Sequence, residues 1–473
     1  MADTYQFGMV GLGTMGRNLA LNVADHGFSV LGLATSEEKA KAFSDLAEGR
    51  KLSAVCGPES FIAQLEKPRI VMILVPAGDP VDSVIAELSP YMEPGDFFIE
   101  GGNSHYTDTE RRSKTLSEKG LGFIGVGVSG GENGARRGPS MMAGGTEASY
   151  QRVQPILEAV AAKFDGEPCV GLLGKGGAGH YVKMVHNGIE YGIMQMLAEA
   201  YDYMHRGLGM TNAAMADEFE KWNNGPFGGY LTAISMDVLR VQDPDTGNEL
   251  VDMILDKAKQ KGTGKWTSQD AFDLGIPIPT IDAAVSAREL SGMKEERVEA
   301  EGYFSPNNFT PNASSASSPQ DVSELGEALH LAMLLTYAQG ISLLDAASAE
   351  HEMDIDIAQS TKVWRAGCII RSKMLDPLYR AVKEKPEGKS VLLAPSFREL
   401  ILELGYPLRA VVGKMIAKGI PAPCLGASLA YFDGYRTGRL PANFIQGLRD
   451  YFGAHTYERI DKPGSFHTHW GDQ

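Results

Sequence analysis

Five residues able to do chemistry fall within nine positions of "GKGGAGHYVKMVHNGIEYG": Lys183, His186, Asn187, Glu190 and Tyr191. At about 100° per residue, Lys183, Asn187 and Glu190 share one stripe of a helix, at i, i+4 and i+7. Val182, Val185 and Ile189 lie beside that stripe, and most of the surrounding helix is apolar. A plain solvated face would not have such neighbours, so the lysine is expected to be partly buried. Burial lowers a lysine's pKa toward that of a usable base. It raises a glutamate's toward that of a usable acid. The pair suits a reaction that takes one proton from a substrate and returns another.

A second cluster could hold a nucleotide. In "YQFGMVGLGTMGRNLALN", Gly11, Gly13 and Gly16 form GxGxxG between an apolar run, Phe7 to Val10, and a helical pattern. That context gives the motif its mechanism. Gly11 allows a tight turn, Gly13 lets the backbone approach a pyrophosphate, and Gly16 lets helix and strand pack closely. The helix N-terminus then offers free N–H groups to phosphate. The end of the second strand reads Ala34, Thr35, Ser36, followed by Glu37, Glu38 and Lys39. An acidic residue for an NAD ribose is missing at the strand end, and so is an arginine for a 2′-phosphate. Thr35, Ser36 and Lys39 could hold such a phosphate weakly, or could be ordinary turn and N-cap residues.

Further candidates follow predicted strands. "EGGNSHY" places Asn103, and "GVSGGENGARRGPSMM" places Ser129, Gly130 and Gly131, at strand C-terminal ends, where open parallel sheets bind ligands. "KGTGKWT" supplies Lys261, Thr263 and Lys265; Arg288, Arg449 and His455 lie further on. Scattered basic residues are usually solvated, but in an acidic chain they could line an anion pocket.

The elements positioning these residues change character along the chain. Strand patterns at 7–10, 28–34, 70–75, 96–102 and 121–131 alternate with helices, predicting a doubly wound parallel sheet. After about residue 178, helical patterns dominate, at 179–207, 211–223, 228–240, 249–261, 280–292 and 325–349. The Ser/Asn/Pro-rich stretch 302–320 reads as a surface loop, and from 436 a polar, aromatic tail is expected to be frayed or docked on another surface.

With 473 residues, the chain has room for two or three domains, and its net charge of −16 argues against nucleic acid as a partner. Cys56, Cys169, Cys368 and Cys424 are far apart, without metal-ligand spacing, and read as free thiols in a reducing compartment. No metal is expected. The sequence shows neither a signal-peptide pattern nor a run approaching the ~20 apolar residues of a membrane span, and the cytoplasm is the expected location.

Taken together, "GLGTMGRNLALN", "GGNS", "GVSGGENGARRGPSMM", "GAGHYVKMVHNGIEYG", "KWNNG", "KGTGKWTSQDAFDLG", "WRAGCIIR" and "RDYFGAHTYERID" closely resemble the 6-phosphogluconate dehydrogenase family, essentially end to end. The resemblance implies a Rossmann-like domain over 1–178, a large all-helical domain over 179–435, and a tail over 436–473 that docks on the partner subunit of a homodimer. It implies oxidative decarboxylation of 6-phosphogluconate to ribulose 5-phosphate and CO2, with NADP as cofactor. By the family's motifs, Lys183 is the general base and Glu190 the general acid. Asn103, Ser129, Gly130, Gly131, His186, Asn187, Tyr191, Lys261, Thr263 and Arg288 line the substrate pocket, with Arg449 and His455 from the other subunit. The cofactor set is Gly11, Gly13, Thr14, Met15, Gly16, Ala34, Thr35, Ser36, Val75, Asn103 and Glu132, with Met15 and Glu132 near the nicotinamide.

Two departures stand on the cofactor side. Ala34, Thr35 and Ser36 replace the family's usual Asn-Arg-Thr or Asn-Arg-Ser, and Pro76 replaces a frequent lysine. Relaxed or NAD-leaning specificity is therefore open. So are two other readings: another β-hydroxyacid dehydrogenase of 3-hydroxyisobutyrate type, and a non-catalytic nucleotide-binding protein. The former would not need "KGTGKW", Arg288 or the tail; the latter would not need both Lys183 and Glu190.

Overall fold

The computed structural model describes residues 4–304, 318–405 and 407–471. Strands β1 (Phe7–Val10), β2 (Val30–Ala34), β3 (Leu52–Cys56), β4 (Ile70–Ile73), β5 (Phe97–Glu100), β6 (Gly122–Ser129) and β7 (Ser140–Gly144) belong to one sheet. A small hairpin, β8 (Lys163–Phe164) and β9 (Glu167–Pro168), precedes its last strand, β10 (Val170–Leu172). The spatial order is β10-β7-β6-β5-β4-β1-β2-β3. Helices α1 (Thr14–Asp25), α2 (Glu37–Ser44), α3 (Pro58–Ala63), α4 (Asp79–Leu88), α5 (Tyr106–Ser117), α6 (Gly131–Arg137) and α7 (Glu147–Val160) connect the strands.

The strands alternate strictly between two cores, as a period of two demands. Phe7, Met9, Val30, Met72 and Ile99 face one layer; Val10, Leu31, Val71, Ile73 and Phe98 face the other. Burial on both faces is why these strands read as continuous apolar runs. The sheet is not wholly parallel: β7 runs antiparallel to β6, and β10 pairs parallel with β7. The sequence reading also missed β3, β7 and β10. β3 is largely half-buried, and β7, "SMMAG", lacks β-branched residues.

A long helix, α8 (Ala178–Asp202), leads into α9 (Asn212–Asn224), α10 (Tyr230–Arg240), α11 (Leu250–Met253), α12 (Thr263–Asp273), α13 (Pro279–Gly292) and α14 (Lys294–Phe304). Then come α15 (Pro319–Glu350), α16 (Ile357–Val363), α17 (Leu375–Glu384), α18 (Pro395–Leu404), α19 (Pro407–Ala417), α20 (Pro423–Tyr435) and α21 (Ala442–Gly453). By length and composition α15 could cross a membrane, contrary to the sequence reading, since an 18-residue window in it has a mean hydropathy of 1.2; however, 78% of that window is buried inside the protein. It packs against α8 at the centre of the helical core.

Three expectations need correction. The helix expected at 249–261 is only α11, Leu250–Met253. Beyond it the backbone extends, because Asp256 pairs with Lys294 at 2.7 Å and Arg297 at 3.0 Å, and the Ala258 N–H donates to Ser291 Oγ at 2.9 Å. Those tertiary contacts outweigh local propensity. The α8 pattern ends at Asp202, and a π-helical turn, Tyr203–Gly207, follows. The loop expected at 302–320 is helical at both ends; its centre, 305–317, lies outside the described residues.

The tail is neither frayed nor irregular. α21 and the hairpin β11 (Tyr457–Glu458) and β12 (Ser465–Phe466) gather around Asp450, which is fully buried. Its carboxylate accepts from the N–H groups of Thr456 and Thr468 and from Trp470 Nε1, at 2.8–3.0 Å, and faces His467 Nδ1 at 2.9 Å. One face of α21 remains apolar and exposed: Phe444, Ile445, Leu448, Tyr451 and Phe452.

Candidate active site

The chain order of the sheet reverses at β1, which lies between β4 and β2. Such a switch point opens a crevice at the strands' C-terminal ends. Here it is a cavity of about 850 Å³ lined by Gly11, Gly13, Arg17, Thr35, Lys39 and Val75. Gly11 has φ +98°, which a side chain would strain. A Cβ at Gly16 would lie 1.9 Å from the Gly11 carbonyl oxygen, whereas one at Gly13 would meet nothing within 4 Å. The middle glycine is thus open to a ligand and the third is locked in packing. α1 follows Gly13 and has no side-chain cap, which leaves its first N–H groups without a side-chain acceptor beside the glycine turn. These features fit a dinucleotide pyrophosphate.

We expect Gly16→Ala to push α1 off β1 and weaken cofactor binding at least tenfold, with about 1–3 kcal/mol lost from folding. Calorimetric titration with NADP and thermal unfolding check both effects.

At the end of β2, Ser36 caps α2, accepting from the Lys39 N–H at 3.3 Å. Lys39 Nζ donates to Thr35 Oγ1 at 3.0 Å. Thr35 and Lys39 are therefore already coupled on the cavity wall. Arg17 lines the same cavity and was missed in the sequence; its signal is a basic residue directly after GxGxxG. Thr14 and Met15 start α1, and Glu132 starts α6, where it accepts from Asn18 Nδ2 at 3.2 Å.

The proton-transfer candidates lie where α8 crosses the sheet. A Cβ at Gly127 of β6 would sit 2.4 Å from Lys183 Cβ, so this glycine lets the helix settle on the strand. Lys183, His186 and Asn187 are all buried. Lys183 Nζ donates to Asn187 Oδ1 in a short hydrogen bond. Asn187 Nδ2 donates to Thr263 Oγ1 at 3.0 Å, tying α8 to the start of α12. His186 Nδ1 lies 3.1 Å from Asn187 Oδ1, and its Nε2 lies 3.2 Å from Ser129 Oγ. An amide oxygen can only accept, so Nδ1 carries the hydrogen and Nε2 accepts from Ser129. Burial holds the His186 pKa well below the usual histidine range, aided by the Lys183 charge, so the ring is neutral.

Burial pushes the Lys183 pKa down, with the Glu190 charge opposing it. Burial pushes the Glu190 carboxyl up, with Lys183 and Arg288 opposing it. Glu190 remains 21% exposed, so it can reach a ligand while keeping its raised pKa. Its carboxylate is 3.9 Å from His186 Nδ1, too far for a hydrogen bond. Arg288 stacks on the Tyr191 ring at 3.4 Å, and Lys261 is exposed just before α12. Asn103 stands exposed after β5, and Gly130 and Gly131 turn the chain from β6 into α6 with φ +134° and +61°.

The structure thus joins Ser129, Lys183, His186, Asn187 and Thr263 by direct contacts, with Tyr191 and Arg288 stacked nearby. It does not join the tail to them. Arg449 bonds Gln446 at 3.1 Å, His455 packs against Phe452, and no hydrogen bond among the described residues links either one to the α8 cluster.

Profiles described as the NAD binding domain and the C-terminal domain of 6-phosphogluconate dehydrogenase match residues 6–174 and 179–470. The Bacillus subtilis NADP(+)-dependent, decarboxylating 6-phosphogluconate dehydrogenase is 46% identical, over 98% of this chain and 99% of its own. The Escherichia coli decarboxylating enzyme is 47% identical, over 99% of each chain. The Plasmodium falciparum 6-phosphogluconate dehydrogenase, solved apo, with its cofactor NADP+ and with its substrate 6-phosphogluconate, superposes with a TM-score of 0.93 at 39% identity. That comparison covers 98% of this chain and 100% of the other. With both halves and nearly the whole length matched, the chain belongs to the 6-phosphogluconate dehydrogenase family.

Proposed function

We propose that the chain catalyses the oxidative decarboxylation of 6-phosphogluconate to ribulose 5-phosphate and CO2. One observation carries this reading: a buried Lys183 bonded to Asn187, with Glu190 about two turns on along the same helix. A 3-hydroxyisobutyrate-type enzyme is disfavoured by the identity with decarboxylating 6-phosphogluconate dehydrogenases across the whole chain.

A bound nicotinamide dinucleotide supplies the hydride acceptor. Lys183 takes the C3 hydroxyl proton as the hydrogen on C3 leaves as hydride for that acceptor, so C3 becomes the carbonyl of a β-keto acid. Its ammonium then polarises the new carbonyl, which lets the carboxylate depart as CO2. Glu190 returns a proton to the carbon that becomes C1 of the product. Asn187 and His186 hold the substrate hydroxyls in register, and Ser129, Gly130 and Gly131 receive its carboxylate. Lys261, Arg288 and Tyr191 form the phosphate end. Arg449 and His455 of the partner subunit complete it in a homodimer; the exposed apolar face of α21 supports this docking. Free thiols at all four cysteines support a cytoplasmic setting.

NADP is the inferred cofactor, held near its 2′-phosphate by Thr35, Ser36 and Lys39 in place of an arginine. Losing a charged bond of that kind costs about 1.5–3 kcal/mol, so the preference over NAD is expected to be modest. Lys39→Ala should lower kcat/KM for NADP about tenfold and leave that for NAD unchanged. Parallel assays with both cofactors, following CO2 and reduced cofactor together, test the reaction and the preference. Absence of turnover would reject the reaction; an unchanged NADP/NAD ratio would reject the role of Lys39.

A further inference from the structure

The mechanism above leaves unused a chain of buried polar groups under the Asn103 turn. Glu100, the last residue of β5, is fully buried. It accepts from Ser104 Oγ in a short bond, from Thr109 Oγ1 at 3.0 Å and from Arg112 Nη1 at 2.6 Å. Arg112, also buried, reaches across to the β4–α4 loop. It donates to the Gly78 carbonyl at 3.1 Å and to Asp82 through Nε and Nη2 at 2.9 and 2.8 Å. On the other side, Thr109 Oγ1 meets His180 Nδ1 at 2.7 Å. His180 is buried in α8, one turn before Lys183.

This chain therefore connects three segments that bear on the site. Ser104 directly follows Asn103. Gly78 lies in the loop between β4 and α4, which also carries Val75 on the cofactor cavity. His180 shares a helix with Lys183. A buried ion pair contributes little net stability compared with apolar packing, but it fixes geometry, because each partner is costly to leave unpaired.

We propose that the Glu100–Arg112 pair is the positioning hub that holds the Asn103 turn in register with the cofactor loop and with Lys183. The proposal rests on the functional reading above. None of its members touches substrate; they act through Asn103 and through the Val75–Gly78 loop.

A double-mutant cycle tests it. Ser104→Ala removes one bond from the turn and leaves the ion pair intact. A misplacement of about 1 Å costs on the order of 100-fold in rate, so kcat/KM for 6-phosphogluconate should fall about 10- to 100-fold. The midpoint of thermal unfolding should shift by only a few degrees, since Glu100 keeps its bonds from Thr109 and Arg112. In an Asn103→Ala background the Ser104→Ala effect should vanish, since it works through Asn103. On the other arm, Asp82→Asn and Arg112→Lys should weaken NADP binding several-fold by calorimetry without substrate. An equal Ser104→Ala effect in both backgrounds, or no effect, overturns the proposal. So does unchanged NADP affinity in both loop variants. Wild-type protein that fails to turn over rejects the functional reading instead, and the calorimetric arm still decides the hub.

Discussion

Lys183→Ala is expected to lower kcat by at least about 10³-fold, with the KM for 6-phosphogluconate changing less than tenfold. General-base catalysis alone contributes about 10²–10⁴-fold. The same lysine polarises the carbonyl during decarboxylation, adding a term that arises only in the transition state. The pH profile gives a sharper test. Lys183 must be neutral to accept the hydroxyl proton, so kcat/KM rises as pH rises through its pKa. Burial disfavours the ammonium, so this limb lies below the ordinary lysine value of 10.5. Glu190 pulls the limb partly back up. Glu190→Gln removes that pull and should move it to lower pH. A limb that stays in place, or survives in Lys183→Ala, would assign the base to another group.

The stripe that carries this chemistry was legible because helical spacing alone aligns Lys183, Asn187 and Glu190. Their apolar neighbours foretold burial, and α8 is buried on nearly every side. The GxGxxG turn was legible for a similar reason: strand, glycines and helix follow each other without interruption. Other features depend on contacts distant in sequence. Thr263 meets Asn187 because the chain turns at Gly262, φ +96°, and α12 starts at Thr263, past the stretch expected to be helical. The Glu100–Arg112 hub ties the end of β5 and α5 to Gly78 and Asp82 at the start of α4 and to His180 of α8, contacts that no local pattern announces. The tail's fold around Asp450 was hidden because its core is one carboxylate rather than an apolar stripe. β7 escaped because methionine fills its core positions where valine or isoleucine would signal a strand.

Glu190→Gln should separate the reaction's two halves. Oxidation and loss of CO2 depend on Lys183, which this change leaves in place. Protonation of the enediol depends on the acid, which glutamine cannot supply. A stopped-flow trace should therefore show a rapid burst of reduced cofactor, near one equivalent per site. A steady state about 10²–10³-fold slower than wild type should follow. The sign of the wild-type pH dependence follows from burial. Glu190 must be protonated to donate, and its carboxyl is raised above the ordinary value of 4.5. Steady-state kcat should therefore fall as pH rises through that raised value, and Glu190→Gln should lose this limb. The Asp variant, with the carboxyl one methylene shorter, should restore the limb but little of the rate, because distance to the substrate carbon is then wrong. A Glu190→Gln enzyme with no burst and an unchanged steady state would show that the proton comes from elsewhere. Tyr191, stacked under Arg288 one residue on, would then be the next group to replace.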